Sequence, residues 1–491
     1  MKKISLLPVI LLAALILQGQ FPPLVEPGAK IRPALEKVLS EPENGGKTLH
    51  VWVYFRDKGL SDRGMIRRAL AETRAALRPH SVWRRSKMRD MERLVDYEDL
   101  PVSTEYSSRV QSLVGKVRTV SRWLNAVSVE ADPEQVSVLS NLEFVLALDV
   151  VRGFRRDEPS ISNRELTSST AVPPDPLPPF KPLYGGSYRQ LGQINVPSLH
   201  ASGLTGQGVV VCMMDVGFRK THQAFRSARI IAERDFVMGD NDVQRNPSDS
   251  RDYSDAHGTS TWSLLGGYAP GVLVGPAFGA DFILARTEDD RSETPVEEDY
   301  WAAGIEWAES LGAEVVSSSL GYTDWYQFKD MDGKTAVTTK AANRAAALGV
   351  VVVNAAGNER RNAWGHIIAP ADGYDVIAVG AVDATGRIAS FSSPGPTADG
   401  RVKPEVCAMG VNNFVAASGL TTGDGAYVRG SGTSYATPLI GGVVALLLEA
   451  HRSWTPKDVR DALMKTANNT AAPNNDFGWG VIDAAAALLY R

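Results

Sequence analysis

An apolar run from Leu439 to Leu448, interrupted only by Gly441 and Gly442, stands near the end of the chain and stops at Glu449. A segment with no polar face predicts a helix buried on all sides. It follows Gly430-Ser431-Gly432-Thr433-Ser434-Tyr435-Ala436-Thr437-Pro438. The two glycines permit a sharp turn, and Pro438 suits the first helical turn, where its missing N–H has no intrahelical acceptor to lose. Ser434 is thereby expected at the mouth of the helix, among unpaired N–H groups and the positive dipole end. A serine so placed reads either as an N-cap or as an exposed nucleophile, and this stretch alone leaves both open.

Other runs have strand character. Val209-Val210-Val211-Cys212-Met213-Met214 and Val350-Val351-Val352-Val353 are continuous and apolar, as strands covered on both faces of a parallel sheet are. Leu49 to Phe55 is β-branched and aromatic, and Asp62 to Val114 is charged and helical in pattern. Val120 to Glu130 alternates as one half-buried strand. Asp132-Pro133-Glu134 opens a short helix through Leu139, and Phe144 to Leu148 reads as a last strand. Residues 30–151 therefore form a small α/β unit of their own, with no catalytic cluster in it.

The N-terminus supplies an address. Lys2 and Lys3 precede an apolar run from Ile4 to Leu17, followed by small and polar residues around Gly19 and Gln20, the order of a secretory signal peptide over 1–19. The run is short for a membrane span, so the product is expected to be free of the membrane after signal cleavage, secreted or periplasmic. Residues 152–183 are rich in Arg, Ser and Pro and read as an extended, accessible processing linker, ahead of a large domain over 184–491.

Composition narrows the choices. With 491 residues and 44% hydrophobic content, the chain can bury a sizeable core. A net charge of −4 from 52 basic and 56 acidic residues argues against a nucleic-acid partner. Cys212 and Cys407 match no metal-ligand spacing and are either one long-range disulfide or, the favoured reading, two buried thiols.

The candidate chemistry begins after the linker. Asp215 ends the first apolar strand ahead of Gly217, at the edge where open α/β sheets bind ligands. His257 stands in Asp255-Ala256-His257-Gly258-Thr259-Ser260-Thr261. Asn358 follows the break at Gly357 in Val353-Asn354-Ala355-Ala356-Gly357-Asn358. Taken singly, these are a turn aspartate, a structural histidine and a turn asparagine. Taken in the order Asp215, His257, Asn358, Ser434, each beside glycines or small residues, they resemble the subtilisin-like serine peptidases. The likeness runs from about Tyr184 to the C-terminus. It includes Gly304-Ile305-Glu306-Trp307-Ala308, Ser317-Ser318-Ser319-Leu320-Gly321 and Ser390-Phe391-Ser392-Ser393-Pro394-Gly395-Pro396. Residues 49–150 are similar, more loosely, to the family's inhibitor-type propeptide, chiefly through Leu124-Asn125-Ala126-Val127-Ser128-Val129.

The resemblance implies an α/β fold of three layers around a mostly parallel sheet, preceded by a small α+β ferredoxin-like propeptide domain. It implies an Asp215–His257–Ser434 triad that hydrolyses peptide bonds through an acyl-enzyme, with Asn358 in the oxyanion hole and no cofactor for catalysis. Ser319, Leu320 and Gly321, with Ala355, Ala356 and Gly357, would wall the main specificity pocket and leave room for large apolar side chains. Glu297, Glu298 and Asp299 would border a neighbouring subsite and favour basic residues upstream of the cut; the plainer reading is a solvated loop before a helix. Family members often bind calcium, and Asp240, Asp242, Asp249, Asp252 and Asp255 form an acidic loop, but their spacing fits no defined calcium loop, so structural calcium stays unplaced. The implied partners are polypeptide substrates and the chain's own propeptide as an intramolecular inhibitor, in a monomer. A departure is Asp215-Val216-Gly217, where the family has Ser or Thr in the middle; Val216 lacks a hydroxyl that would steady the aspartate. Another is Met409 before Gly410, where a proline is common. The alternative is a catalytically silent relative that keeps the fold for binding.

Overall fold

The computed structural model describes residues 30–41, 47–152, 181–245, 255–289, 298–418 and 423–491. They fall into two compact units, Met1–Val151 and Arg152–Arg491. The expected signal segment 1–19 and most of the linker lie outside the described residues; Lys181–Tyr184 is helical.

In the first unit β1 (Leu49–Phe55) leads through the helices α1 (Arg63–Ala75), α2 (Pro79–Ser86) and α3 (Thr104–Gln111) to β2 (Lys116–Ser121) and β3 (Ala126–Ala131). Then α4 (Pro133–Ser140) precedes β4 (Val145–Val150). The strand order β2-β3-β1-β4, antiparallel at every pairing, is that of a split βαβ unit. Local chemistry sets the helix starts. Asp62 accepts from the N–H groups of Gly64 and Met65, and Asp132 and Gln135 form a reciprocal capping box. The stretch Val120 to Glu130 is not one strand but the turn of a hairpin. Asn125 takes φ 50°, a conformation Asn tolerates, and its amide bonds the carbonyls of Phe55 and Asp57. The alternation continues across the turn, which is why the sequence reads as a single strand.

Among the described residues, the second unit is built on a seven-stranded sheet. In chain order its strands are β5 (Val210–Asp215), β6 (Arg229–Asp235), β7 (Asp281–Arg286), β8 (Val315–Ser318), β9 (Val351–Ala355), β10 (Val376–Val382) and β11 (Val406–Met409). They lie in the order β11-β10-β9-β8-β5-β7-β6, parallel throughout. Four strand spacings of about 4.8 Å separate β5 from β11, so Cys212 and Cys407 are at least about 19 Å apart, far beyond disulfide reach. Both are buried free thiols. Helix α5 (Ala256–Gly266) packs on α8 (Thr433–Ala450), α6 (Glu298–Leu311) packs on α7 (Val337–Ala347), and both pairs rest on the sheet.

Helix α8 is long and apolar enough to cross a membrane, yet it is buried in the core from Thr433 to Leu448. Burying each of its large aliphatic side chains is worth about 1.5–3 kcal/mol. Its glycines allow close approach: a methyl on Gly442 would lie 2.8 Å from Pro276 Cβ. The register pairs Met214 with Ser318 and Ser318 with Asn354, so Asp215, Ser319 and Ala355 form the next row along the strand ends. That row is the edge at which open parallel sheets form their crevice.

Candidate active site

Asp215 is the last residue of β5 and fully buried. Its Oδ1 accepts from His257 Nδ1 at 2.7 Å and from the Val216 N–H at 2.9 Å, and its Oδ2 accepts from the Thr261 hydroxyl at 2.9 Å. His257 lies inside the first turn of α5. Gly258 permits this placement, because a methyl there would collide with the Gly217 carbonyl and sit 3.0 Å from Asp215 Cβ. With Nδ1–H directed at a carboxylate, the neutral imidazole carries its lone pair on Nε2. That nitrogen is buried and has no hydrogen-bond partner among the described residues.

Ser434 is the second residue of α8, after Gly432 as N-cap, so it is not itself the cap. The helix begins five residues before Pro438, which is therefore inside it and not in its first turn. Proline at that point has no N–H for the Ser434 carbonyl, four residues back. The Ser319 hydroxyl takes the vacant role, donating to that carbonyl at 2.9 Å, while the Ser434 hydroxyl donates to the Ser319 carbonyl at 3.3 Å. The serine hydroxyl thus points at Ser319 in this structure, not at His257; such bonds commonly tighten only when substrate arrives.

Asn358 is held by its oxygen. Its Oδ1 accepts from the Thr433 N–H at 2.9 Å and the Thr433 hydroxyl at 3.0 Å, which turns the amide nitrogen the other way. A methyl on Gly432 would sit 3.6 Å from Asn358 Nδ2 and 3.7 Å from the Ser434 nitrogen. Glycine therefore keeps open the space that both donors border. Thr433 is a contributor that the sequence pattern alone did not single out, and Ser319, expected as a pocket wall, also holds Ser434.

The expected pocket walls extend from the ends of β8 and β9, where Ser319, Leu320, Ala355 and Ala356 are all buried. Asn354 ties them together by donating to the Leu320 carbonyl at 3.0 Å. Part of the wall backbone is already paired: the Ala356 carbonyl accepts from Ile368 N–H and the Gly357 carbonyl from Ser393 N–H. These bonds come from loops distant in sequence, so no local pattern announces them.

Glu297 lies outside the described residues. Glu298 and Asp299 are not solvated: both are fully buried in the first turn of α6. Glu298 Oε2 accepts from the Tyr326 hydroxyl at 2.6 Å, and its Oε1 accepts from the Arg152 N–H at 3.0 Å. The Arg152 guanidinium lies 4.5 Å from the Tyr326 ring centre. Burial, and then the Glu298 charge, hold the Tyr326 hydroxyl well above its ordinary pKa.

In the acidic loop, Asp249 and Asp252 lie outside the described residues. Asp242 pairs with Lys220 at 3.1 Å, and Asp255 accepts from the Ser418 hydroxyl. Among the described residues no group of three or more His, Cys, Asp or Glu side chains is placed to hold a metal ion.

Comparison with known proteins gives the chain its family context. Residues 206–480 match the model of the subtilase family, and residues 50–165 match the peptidase S8 propeptide domain of Bacteroidota. Subtilisin E of Bacillus subtilis is 32% identical over 303 residues, covering 60% of this chain and 70% of the relative. A thermostable alkaline protease of Halalkalibacterium halodurans is 28% identical over 368 residues, covering 73% of this chain and 91% of the relative. The crystal structure of fervidolysin from Fervidobacterium pennivorans, described as a keratinolytic enzyme related to subtilisin, superposes with a TM-score of 0.61 at 22% identity. That likeness covers 91% of this chain and spans 61% of the fervidolysin chain, and it shows the shared fold.

Proposed function

The chain belongs to the subtilase family of serine peptidases, and from that premise we propose that it is a secreted serine endopeptidase made as a precursor that cuts itself. The observation that carries the reading is the 2.7 Å bond from His257 Nδ1 to Asp215, which leaves a buried Nε2 free to accept a proton. Ser434, rotated from the Ser319 carbonyl to His257, attacks a peptide carbonyl while Nε2 takes its proton. The Asp215 carboxylate holds the tautomer and stabilises the imidazolium. Asn358 Nδ2 and the Ser434 N–H, the latter without an intrahelical acceptor in its helix's first turn, bind the developing oxyanion. His257 returns the proton to the leaving amine, and water then hydrolyses the acyl-enzyme by the same route in reverse. The steps call on no cofactor; calcium would serve stability alone.

The first unit, as a propeptide domain, acts on this reading as an intramolecular inhibitor until it is degraded, and the linker after Val151 contains the cut. The signal segment directs export to the periplasm or beyond, and the mature enzyme works as a monomer on polypeptides. On the same reading, and by the resemblance alone, Glu298, whose oxygens accept here from the Tyr326 hydroxyl and the Arg152 N–H, favours a basic side chain upstream of the cut. The experiment is expression of Ser434→Ala in a host lacking other secreted proteases. The variant should accumulate as precursor, with wild type processed; normal processing of the variant would rule out self-cleavage.

A further inference from the structure

Between the two segments that flank Ser434 stands one side chain from elsewhere. A methyl placed on Gly321 would overlap Ile368 Cδ1 and lie 2.5 Å from its Cγ1. A methyl placed on Gly357 would lie 3.1 Å from Ile368 Cγ2 and 3.2 Å from Cδ1. Ile368 thus touches the bare backbone of both walls at once, and it is 5% exposed.

The isoleucine is held there from three directions. Its N–H donates to the Ala356 carbonyl at 3.2 Å, and the next carbonyl, of Ala369, accepts from the Tyr322 N–H at 2.9 Å. The preceding N–H, of Ile367, donates to the Pro394 carbonyl at 3.1 Å. Ile367 and Ala369 on either side are fully buried. A β-branched side chain on so fixed a backbone has few rotamers with which to move aside.

We propose that Ile368 closes the slot beside the nucleophile and restricts hydrolysis to bonds that follow a small side chain: glycine, alanine or serine. The inference rests on the serine-peptidase reading of Ser434. An attacked carbonyl must lie at the Ser434 hydroxyl with its oxygen toward Asn358. Ser319 is bonded to Ser434 in both directions, and Gly357 immediately precedes Asn358. The residue that owns the carbonyl therefore sits where these segments face each other, and its side chain enters the gap that Ile368 fills. Glycines and alanines on the walls suggested room for large apolar side chains; the space they leave is occupied by a residue too distant in sequence to be noticed.

The test measures kcat/KM on peptides that differ only in the residue before the cleaved bond, using the matured product of the full chain. Wild type should favour alanine over phenylalanine by about a hundredfold, the range that pocket size alone supplies. Ile368→Gly should raise the phenylalanine-to-alanine ratio at least tenfold, and Ile368→Ala in the same direction by less. Should the glycine variant not fold, the sites at which wild type cuts an unfolded protein, read by mass spectrometry, decide the matter. Cuts after small residues support the proposal; equal cutting after phenylalanine or leucine overturns it, as does an unchanged ratio in a folded variant. Absence of turnover on every peptide with Ser434 unreactive would overturn the peptidase reading too, whereas reactive Ser434 without the preference overturns this inference alone.

Discussion

The hydroxyl of Thr261 donates to Oδ2 of Asp215 at 2.9 Å, from one turn beyond His257 on the same helix. It also approaches the Gly258 carbonyl at 3.1 Å, but one proton goes preferentially to the nearer, charged oxygen. The hydroxyl missing at Val216 is thus supplied from a different element. Thr261→Val should lower kcat by about tenfold or more with a small change in KM, since a hydrogen bond to a charged group is worth about 1.5–3 kcal/mol. Thr261→Ser should restore most of the rate. Equal kcat in the valine variant would show that Asp215 needs no such support.

Asn358→Leu should cut kcat about a hundred- to a thousandfold while Ser434 stays reactive toward a serine-directed phosphonofluoridate. That magnitude is the one established for the corresponding donor in this family, not one obtained for this chain. Steady-state kinetics of the purified variant read it. An unaltered kcat would remove Asn358 from the oxyanion site.

Glu298→Gln should lessen discrimination for arginine upstream of the cut. The readout is a peptide series in which one arginine is moved through the positions before the cleaved bond, compared with its neutral counterpart. The wild-type enzyme should show one favoured position, and the variant should reduce that advantage by about tenfold, the scale of one lost charge pairing. Identical ratios in the two proteins would assign the buried carboxylate to structure alone.

Both thiols should resist alkylation in the native protein. Burial pushes the Cys407 thiol up to about 12 and raises Cys212 further, so the reactive thiolate forms only well above pH 9. Iodoacetamide at pH 8 should label neither before denaturation and both after it, as counted by intact mass. Rapid labelling in the folded state would contradict the burial; failure to label the unfolded chain without reductant would indicate a disulfide.

What was legible in the sequence is what local chemistry fixes. Val209 to Met214 and Val350 to Val353 could only be buried strands, and their ends place Asp215 and the Ala355–Gly357 segment on one edge. The glycines around Ser434 announced its turn. What was hidden depends on contacts across long sequence separations: Thr261 completing the surroundings of Asp215, Thr433 orienting Asn358, Ile368 reaching the walls of the slot. Pro438 misleads for a related reason, because the rule that proline opens a helix fails where Ser319 supplies the donor that proline lacks. The burial of Glu298 and Asp299 was equally invisible, since a run of acids before a helix ordinarily faces water and only Tyr326, far along the chain, shows otherwise.

The measurement that bears most directly on the central claim is covalent labelling of Ser434. The matured protein is treated with a phosphonofluoridate, digested and mapped by mass spectrometry, while peptide hydrolysis is followed in parallel. A hydroxyl activated by His257 reacts far faster than an ordinary serine. The expected result is one adduct, on Ser434, forming in step with loss of activity. Full hydrolytic activity with Ser434 unmodified would contradict the claim.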